Sequence, residues 1–267
     1  MALSWEDPPF LSRYPKTRTP LSPRLAAIYR EHYRINRAGG SPASALSRAM
    51  ESWLHRQVAR DVLASSVPRR TLELGAGTLN QLGYEPDVGP YDIVEPFTER
   101  YQASPHLRRI RRSFADIADI PAGTLYDRIT SIATLEHLCD LPRVVATAGL
   151  LLERGGEFRA AIPSEGTFLW KLGWRLTTGV EFWLKHRLDY GKLMRHEHVN
   201  DAREIAQVLE YCFANVQRRD LGPGRRLSLY QFFACSDPIL TRCRFVTERS
   251  PSCRPVITQT AVVPSTG

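Results

Sequence analysis

Lysine is nearly absent from this chain: of its 36 basic residues only four are lysine, and the rest are arginine. Long apolar runs are missing too. The longest, around Val144–Leu152, falls far short of the ~18 residues a membrane-spanning helix needs. The five cysteines (Cys139, Cys212, Cys235, Cys243 and Cys253) are odd in number and hold no Cys-x-x-Cys pair. That excludes a disulfide framework and a thiolate zinc site, and reduced thiols are expected. The first residues carry Glu6, Asp7 and then prolines instead of the basic-then-apolar layout of a secretion signal, so cytoplasmic residence is expected.

The composition of the 267 residues, 43% hydrophobic and 24% charged, is that of a globular protein and excludes wholesale disorder. The net charge is +8, with arginine clusters at Arg108–Arg112 and Arg218–Arg226. Such a balance can attract phosphate, nucleic acid or an anionic membrane face. No nucleic-acid motif accompanies it, and it reads as a solubility feature.

Prolines at 8, 9, 15 and 20 mark an extended arm over residues 1–20. Residues 21–65 read as two helical pieces broken at Gly39-Gly40-Ser41-Pro42, the second with Trp53, Leu54, Val58 and Val62 at helical spacing. Residues 1–65 therefore form an N-terminal extension. Residues 66–236 form the main domain. From 237 to 267, prolines with many Ser and Thr predict a loosely ordered tail.

Within the main domain, short β-like runs at 70–74, 91–95, 109–114, 127–133 and 156–162 alternate with helical segments. One helix has Asp140 to cap it, Pro142 in its first turn and Gly155 just beyond its end. Another starts near Asn200 or Asp201, with Ile205, Val208, Leu209 and Cys212 on one face. Two late strands, 214–220 and 227–234, flank Gly222-Pro223-Gly224 and read as an antiparallel pair. The fold class is α/β, with a mostly parallel, Rossmann-like sheet.

The most informative stretch is Thr71-Leu-Glu-Leu-Gly-Ala-Gly-Thr-Leu-Asn80. A buried strand runs into Gly75 and Gly77, where glycine permits a tight turn and close approach of a ligand beyond the strand's carboxyl end. Asn80 stands where a dinucleotide fingerprint needs its third glycine, and no Gly-Lys-Ser/Thr follows for a P-loop. Glu73 would repel a pyrophosphate and suits a cationic ligand. About twenty residues on, the second strand ends in Glu95-Pro96, an acidic tip that can accept from both ribose hydroxyls. Asp116-Ile117 offers an acceptor for an adenine amino group beside an apolar residue.

These residues, with Tyr126-Asp-Arg-Ile-Thr-Ser-Ile-Ala-Thr-Leu-Glu136-His137 and Leu151-Leu-Glu-Arg-Gly155-Gly156, resemble class I S-adenosylmethionine-dependent methyltransferases in register over about 65–165. The resemblance implies a seven-stranded sheet with an antiparallel last strand. It implies S-adenosylmethionine as cofactor, with Glu73, Gly75, Ala76, Gly77 and Asn80 near its methionine part. Glu95 and Pro96 would serve the ribose, Asp116 and Ile117 the adenine, and Ala133 and Thr134 the floor. The chain departs from the fuller Gly-x-Gly-x-Gly form at Leu79, and Gly83, Pro86, Gly89 and Pro90 shorten the helix after the turn. Gly77-Thr-Leu-Asn80, Ile162-Pro-Ser-Glu-Gly166 and His196-Glu-His-Val-Asn200 further resemble a bacterial subgroup associated with surface-sugar biosynthesis.

Transfer to a hydroxyl needs a base near neutral pKa, and His137, His196 and His198 are the candidates. His196, His198 and Asn200 alternate in what reads as an extended segment, pointing to one side. No fourth ligand accompanies His196, Glu197 and His198, so no metal is expected. Residues 164–199 read as a substrate lid, with Phe168, Trp170, Trp174, Phe182, Trp183 and Tyr190 among basic groups. Competing readings are an amphipathic helix pair on the core and association with a membrane surface. The expected acceptor is a small molecule. The alternatives are a nucleic-acid methyltransferase, disfavoured by the missing Asn/Asp-Pro-Pro-aromatic motif, and an inactive cofactor-binding partner subunit. A short-chain dehydrogenase would need a Tyr-x-x-x-Lys pair, which is lacking.

Overall fold

The computed structural model describes residues 8–23, 25, 28, 42–65, 67–87, 89–166, 190–224 and 227–249. Seven strands form one sheet: β1 (Thr71–Leu74), β2 (Tyr91–Val94), β3 (Ile110–Phe114), β4 (Tyr126–Ile132), β5 (Leu152–Pro163), β6 (Phe213–Leu221) and β7 (Tyr230–Pro238). Their order is β3-β2-β1-β4-β5-β7-β6. The first five are parallel, and β7 runs antiparallel between β5 and β6. Every residue of β1 is buried and β4 nearly so, as expected of central parallel strands covered on both faces.

The strand order reverses between β1 and β4, and the carboxyl ends of these neighbours bound the crevice where open α/β sheets take ligands. The link from β1 to β2 holds one 3-10 turn, Asn80–Gly83, in line with the shortened helix expected there. Helix α1 (Pro42–Leu63) lies over the sheet, with Leu54 and Val58 packed on Ile132, Ala161, Tyr230 and Phe232. Two buried arginines pin it. Arg128 of β4 donates to Asp61 Oδ2 (2.9 Å), Glu85 Oε1 (2.7 Å) and the Val58 carbonyl (3.0 Å). Arg159 of β5 reaches the carbonyls of Val58 (2.9 Å) and Gln57 (2.8 Å).

Helices α2 (Leu141–Leu150), α4 (Ala202–Cys212) and α5 (Leu240–Arg249) contribute to the main core, while α3 (Tyr190–Glu197) leads into α4. The expected tail is corrected over 237–249: β7 continues to Pro238, and α5 buries Cys243 and Val246. A Cβ on Gly149 of α2 would meet Cys243 Sγ at 3.0 Å, so the small residue admits α5 closely. Apolar spacing, not the proline count, decides this segment. Residues 250–267 lie outside the described ones. Gly155 does not end α2. It lies within β5 at φ +78°, where the register with β4 shifts between Tyr126 and Arg128. Asp140 precedes α2 but its side chain makes no capping bond, whereas Asp201 and Glu204 form a reciprocal capping box on α4.

Within the arm Pro9–Arg13 form a 3-10 turn, and Phe10 and Leu11 are buried in the cluster that holds β1, β4 and β5. Cys139, Cys212, Cys235 and Cys243 are free thiols. Among the described residues no helix is long and apolar enough to cross a membrane.

Candidate active site

The backbone after β1 alternates into the left-handed region: Gly75 has φ +70°, Gly77 +53° and Leu79 +65°. Gly75 is required by its neighbour, since a Cβ there would stand 2.3 Å from Thr134 Oγ1. From Gly77 the Cβ direction is open, with nothing among the described residues within 4 Å. Leu79 keeps the turn at the position where the fuller motif has glycine. Its side chain is fully buried, and that packing offsets a left-handed conformation that costs about 1–2 kcal/mol. Ala133, at the end of β4, also has positive φ (+49°) and is exposed. Two strained non-glycine residues thus flank the crevice.

Glu95 follows β2, and its own N–H bonds to the Phe114 carbonyl (2.9 Å). Its side chain turns back to the glycine loop. Oε2 accepts from the Gly77 N–H (2.9 Å), Oε1 accepts from the Phe97 N–H (3.1 Å), and Arg100 stands 3.6 Å from Oε1. Each oxygen retains a lone pair. Gly75, Gly77, Glu95 and Thr134 are therefore one connected group. Ala76 is buried below the loop, while Asn80 and Pro96 are exposed beside it.

Glu73 lies elsewhere than expected. It is 2% exposed, and its carboxyl accepts from Tyr91 Oη (2.9 Å) under the loop instead of opening onto it. Alternation along β1 sends its side chain to the sheet face opposite those of Leu72 and Leu74. Burial pushes its pKa up to about 8. Asp116 caps the turn Ile117–Asp119 by accepting from the Ala118 N–H (2.8 Å), and Arg143 lies 3.4 Å away. Ile117 is buried in the main core.

Beyond Thr134, the turn Leu135–His137 carries Glu136 and His137. The Glu136 carbonyl accepts from the N–H groups of Val199 (2.9 Å) and Asn200 (3.1 Å), and Asn200 Nδ2 donates to the carbonyls of Leu135 and Leu138. These bonds hold the link between α3 and α4 against the end of β4. They bring the His198 ring to 4.9 Å from that of His137. His137 Nδ1 bonds to the Glu197 carbonyl (2.9 Å) and His198 Nδ1 to Glu165 Oε2 (3.0 Å). Glu136 is buried, which lifts its pKa to about 7 against the pull of His137.

The expected alternation of His196 and His198 is corrected. His196 belongs to α3, where each residue turns about 100° from the last, whereas His198 follows the helix. His196 Nδ1 bonds to the Thr19 carbonyl (2.6 Å), away from the other two rings. Arg18 ties this corner to the arm, donating to the carbonyls of His196, Glu197 and His137. Sequence reading placed Glu136 beside His137 but missed Glu165 as the partner of His198, which comes from a distant segment. Of the expected lid, residues 167–189 lie outside the described residues, and with them all its singled-out aromatics but Tyr190.

No protein-family model and no curated protein matches the sequence. Solved structures do. An O-methyltransferase family protein from Burkholderia thailandensis shares 17% identity, with 86% of this chain and 67% of that chain covered, at a TM-score of 0.52. A possible exported protein from Bordetella parapertussis shares 14%, with 86% and 77% covered, at 0.53. The CurJ carbon methyltransferase shares 20% at 0.48, and this chain spans about half of its length (53%). The fold is the Rossmann-like methyltransferase fold.

Proposed function

We propose that the chain is an S-adenosylmethionine-dependent methyltransferase that acts in the cytoplasm on a small-molecule acceptor, such as a sugar, nucleotide-sugar, glycolipid or natural product, at an oxygen. The contact of Glu95 with the Gly77 amide, at the crevice where the strand order reverses, carries the reading. The residues fit the cofactor. Gly77 offers an open Cβ direction for close approach, and an anionic side chain beside it suits a sulfonium and opposes a pyrophosphate.

S-adenosylmethionine, when bound, would supply a methyl group activated on a positively charged sulfur. Glu95, flanked by Pro96, would accept from the ribose hydroxyls. The backbone of Gly75, Ala76 and Gly77, with Asn80, would meet the methionine part, and Glu73 would support that loop from below through Tyr91. Asp116 and Ile117 would serve the adenine, and Ala133 and Thr134 the floor. His137 and His198 stand beyond Thr134 with Glu136, on the acceptor side. They are the groups suited to take a hydroxyl proton, His196 being turned to the arm.

The likeness to a protein named as an O-methyltransferase family member supports oxygen as the target. The missing Asn/Asp-Pro-Pro-aromatic motif supports a small acceptor over nucleic acid.

Calorimetric titration with S-adenosylmethionine and S-adenosylhomocysteine tests the cofactor. Incubation of methyl-labelled cofactor with nucleotide-sugars and glycolipids, read by mass spectrometry, tests the acceptor class. Absence of saturable binding by either cofactor form overturns the proposal.

A further inference from the structure

Glu136, His137 and His198 form a cluster whose parts are prepared in a way that methyl transfer alone does not explain. Each offers one ligand atom, and the three atoms lie within 4.8 Å of one another. Neither imidazole is loose. His137 Nδ1 is bonded to a backbone carbonyl and His198 Nδ1 to the Glu165 carboxylate. A hydrogen bond to a carbonyl requires that His137 carry its proton on Nδ1, and the carboxylate favours the same tautomer in His198. In the neutral form of each ring, Nε2 then keeps its lone pair.

The carboxylate supplies a second, independent observation. Glu136 is 1% exposed, and its Oε2 has no hydrogen-bond partner among the described residues. An orphaned buried carboxylate oxygen is costly unless a cation or proton meets it. Its other oxygen stands 3.9 Å from His137 Nε2, too far for a hydrogen bond.

We infer that Glu136, His137 and His198 bind a divalent first-row transition-metal ion. Two imidazoles and one carboxylate are a ligand set such ions accept, and three protein ligands leave positions open, as in catalytic rather than structural sites. Bonds of about 2.0–2.2 Å require the ligand atoms to draw together by roughly 1 Å, within reach of side-chain rotation. The Nδ1 bonds to the Glu197 carbonyl and to Glu165 are the outer contacts that orient ligating histidines. An ion here would take an oxygen of the acceptor and lower its pKa, in place of a histidine base. That role rests on the methyl-transfer reading, but binding of the ion does not.

The full chain, stripped of metal, is titrated with Co²⁺ by visible absorption and with Mn²⁺ and Zn²⁺ by calorimetry. Saturation at one equivalent per chain, with ligand-field bands for Co²⁺, is expected. Glu136→Gln and His198→Ala should each weaken binding at least 100-fold, Glu165→Gln about 10-fold, and His196→Ala not measurably. Circular dichroism checks that each variant is folded. Lack of saturable binding in the unaltered chain, or unchanged binding in both folded variants Glu136→Gln and His198→Ala, overturns the inference. Metal binding without any cofactor binding would remove the methyl-transfer reading and leave this site standing. Cofactor binding without metal would do the reverse and return the histidines to service as bases.

Discussion

The Glu95 carboxylate accepts a hydrogen bond from the backbone N–H of Gly77 at 2.9 Å. Two strand ends are thereby joined by a charge-assisted bond at the mouth of the crevice. Glu95→Ala should leave the fold intact and weaken S-adenosylmethionine at least 10-fold, about 1.4 kcal/mol. Glu95→Gln, which keeps a carbonyl for one amide, should lose less. Calorimetry on both variants checks the order, and equal affinity in all three proteins would refute the assignment.

The two glycines should answer differently to the same change. A Cβ on Gly75 meets Thr134 at 2.3 Å, so Gly75→Ala should displace Thr134, lower thermal stability and abolish cofactor binding. Gly77→Ala meets no atom of the described residues within 4 Å and should cost only about 1–2 kcal/mol for its left-handed backbone while still blocking the ligand's approach. Thermal melts with and without cofactor separate the cases. A Gly77→Ala protein that binds normally would contradict the proposed contact.

Removing Arg128 should expose how α1 is held. The guanidinium is fully buried between Asp61 and Glu85. Arg128→Met leaves Glu85 without its buried cation, while Asp61 keeps Arg69 and Arg159, and should cost about 3–5 kcal/mol in urea unfolding. A loss under 1 kcal/mol would mean that water reaches this pair freely.

Glu73 predicts a pH dependence. Its folded pKa, about 8, lies above the ordinary 4.5 because burial disfavours the charge. Between these values the folded chain keeps a proton that the unfolded chain has released, so stability falls as pH rises from ~4.5 to ~8 and levels off above. Glu73→Gln, which retains an acceptor for Tyr91, should remove that slope and be more stable than wild type by about 2–4 kcal/mol at pH 8, with little difference near pH 4. Urea midpoints at pH 4.5 and pH 8 measure it. Parallel slopes in the two proteins would assign the ionisation elsewhere.

Much of the crevice was legible because its signals are local. A buried strand ending in Gly75 and Gly77, an acid at the next strand tip and the β4 end at Ala133-Thr134 all depend on residues within one strand and its turn. The burial of Glu73 was not legible, because only the tertiary packing of Tyr91 closes the space beside it. The helix over 240–249 was hidden by prolines and polar residues on either side, though Cys243 and Val246 carry its buried face.

The alternation of strands and helices, the glycine bend and the acidic strand tip follow from chain periodicity and backbone sterics, and the sequence alone determined them. The meeting of Glu136 and His137 with His198 did not follow from it. Some sixty residues separate these groups, and His196 looked equivalent to His198 until α3 ended between them. Asn200 and the Glu136 carbonyl decide that meeting through hydrogen bonds between distant segments, and such partners exist only once the sheet has formed.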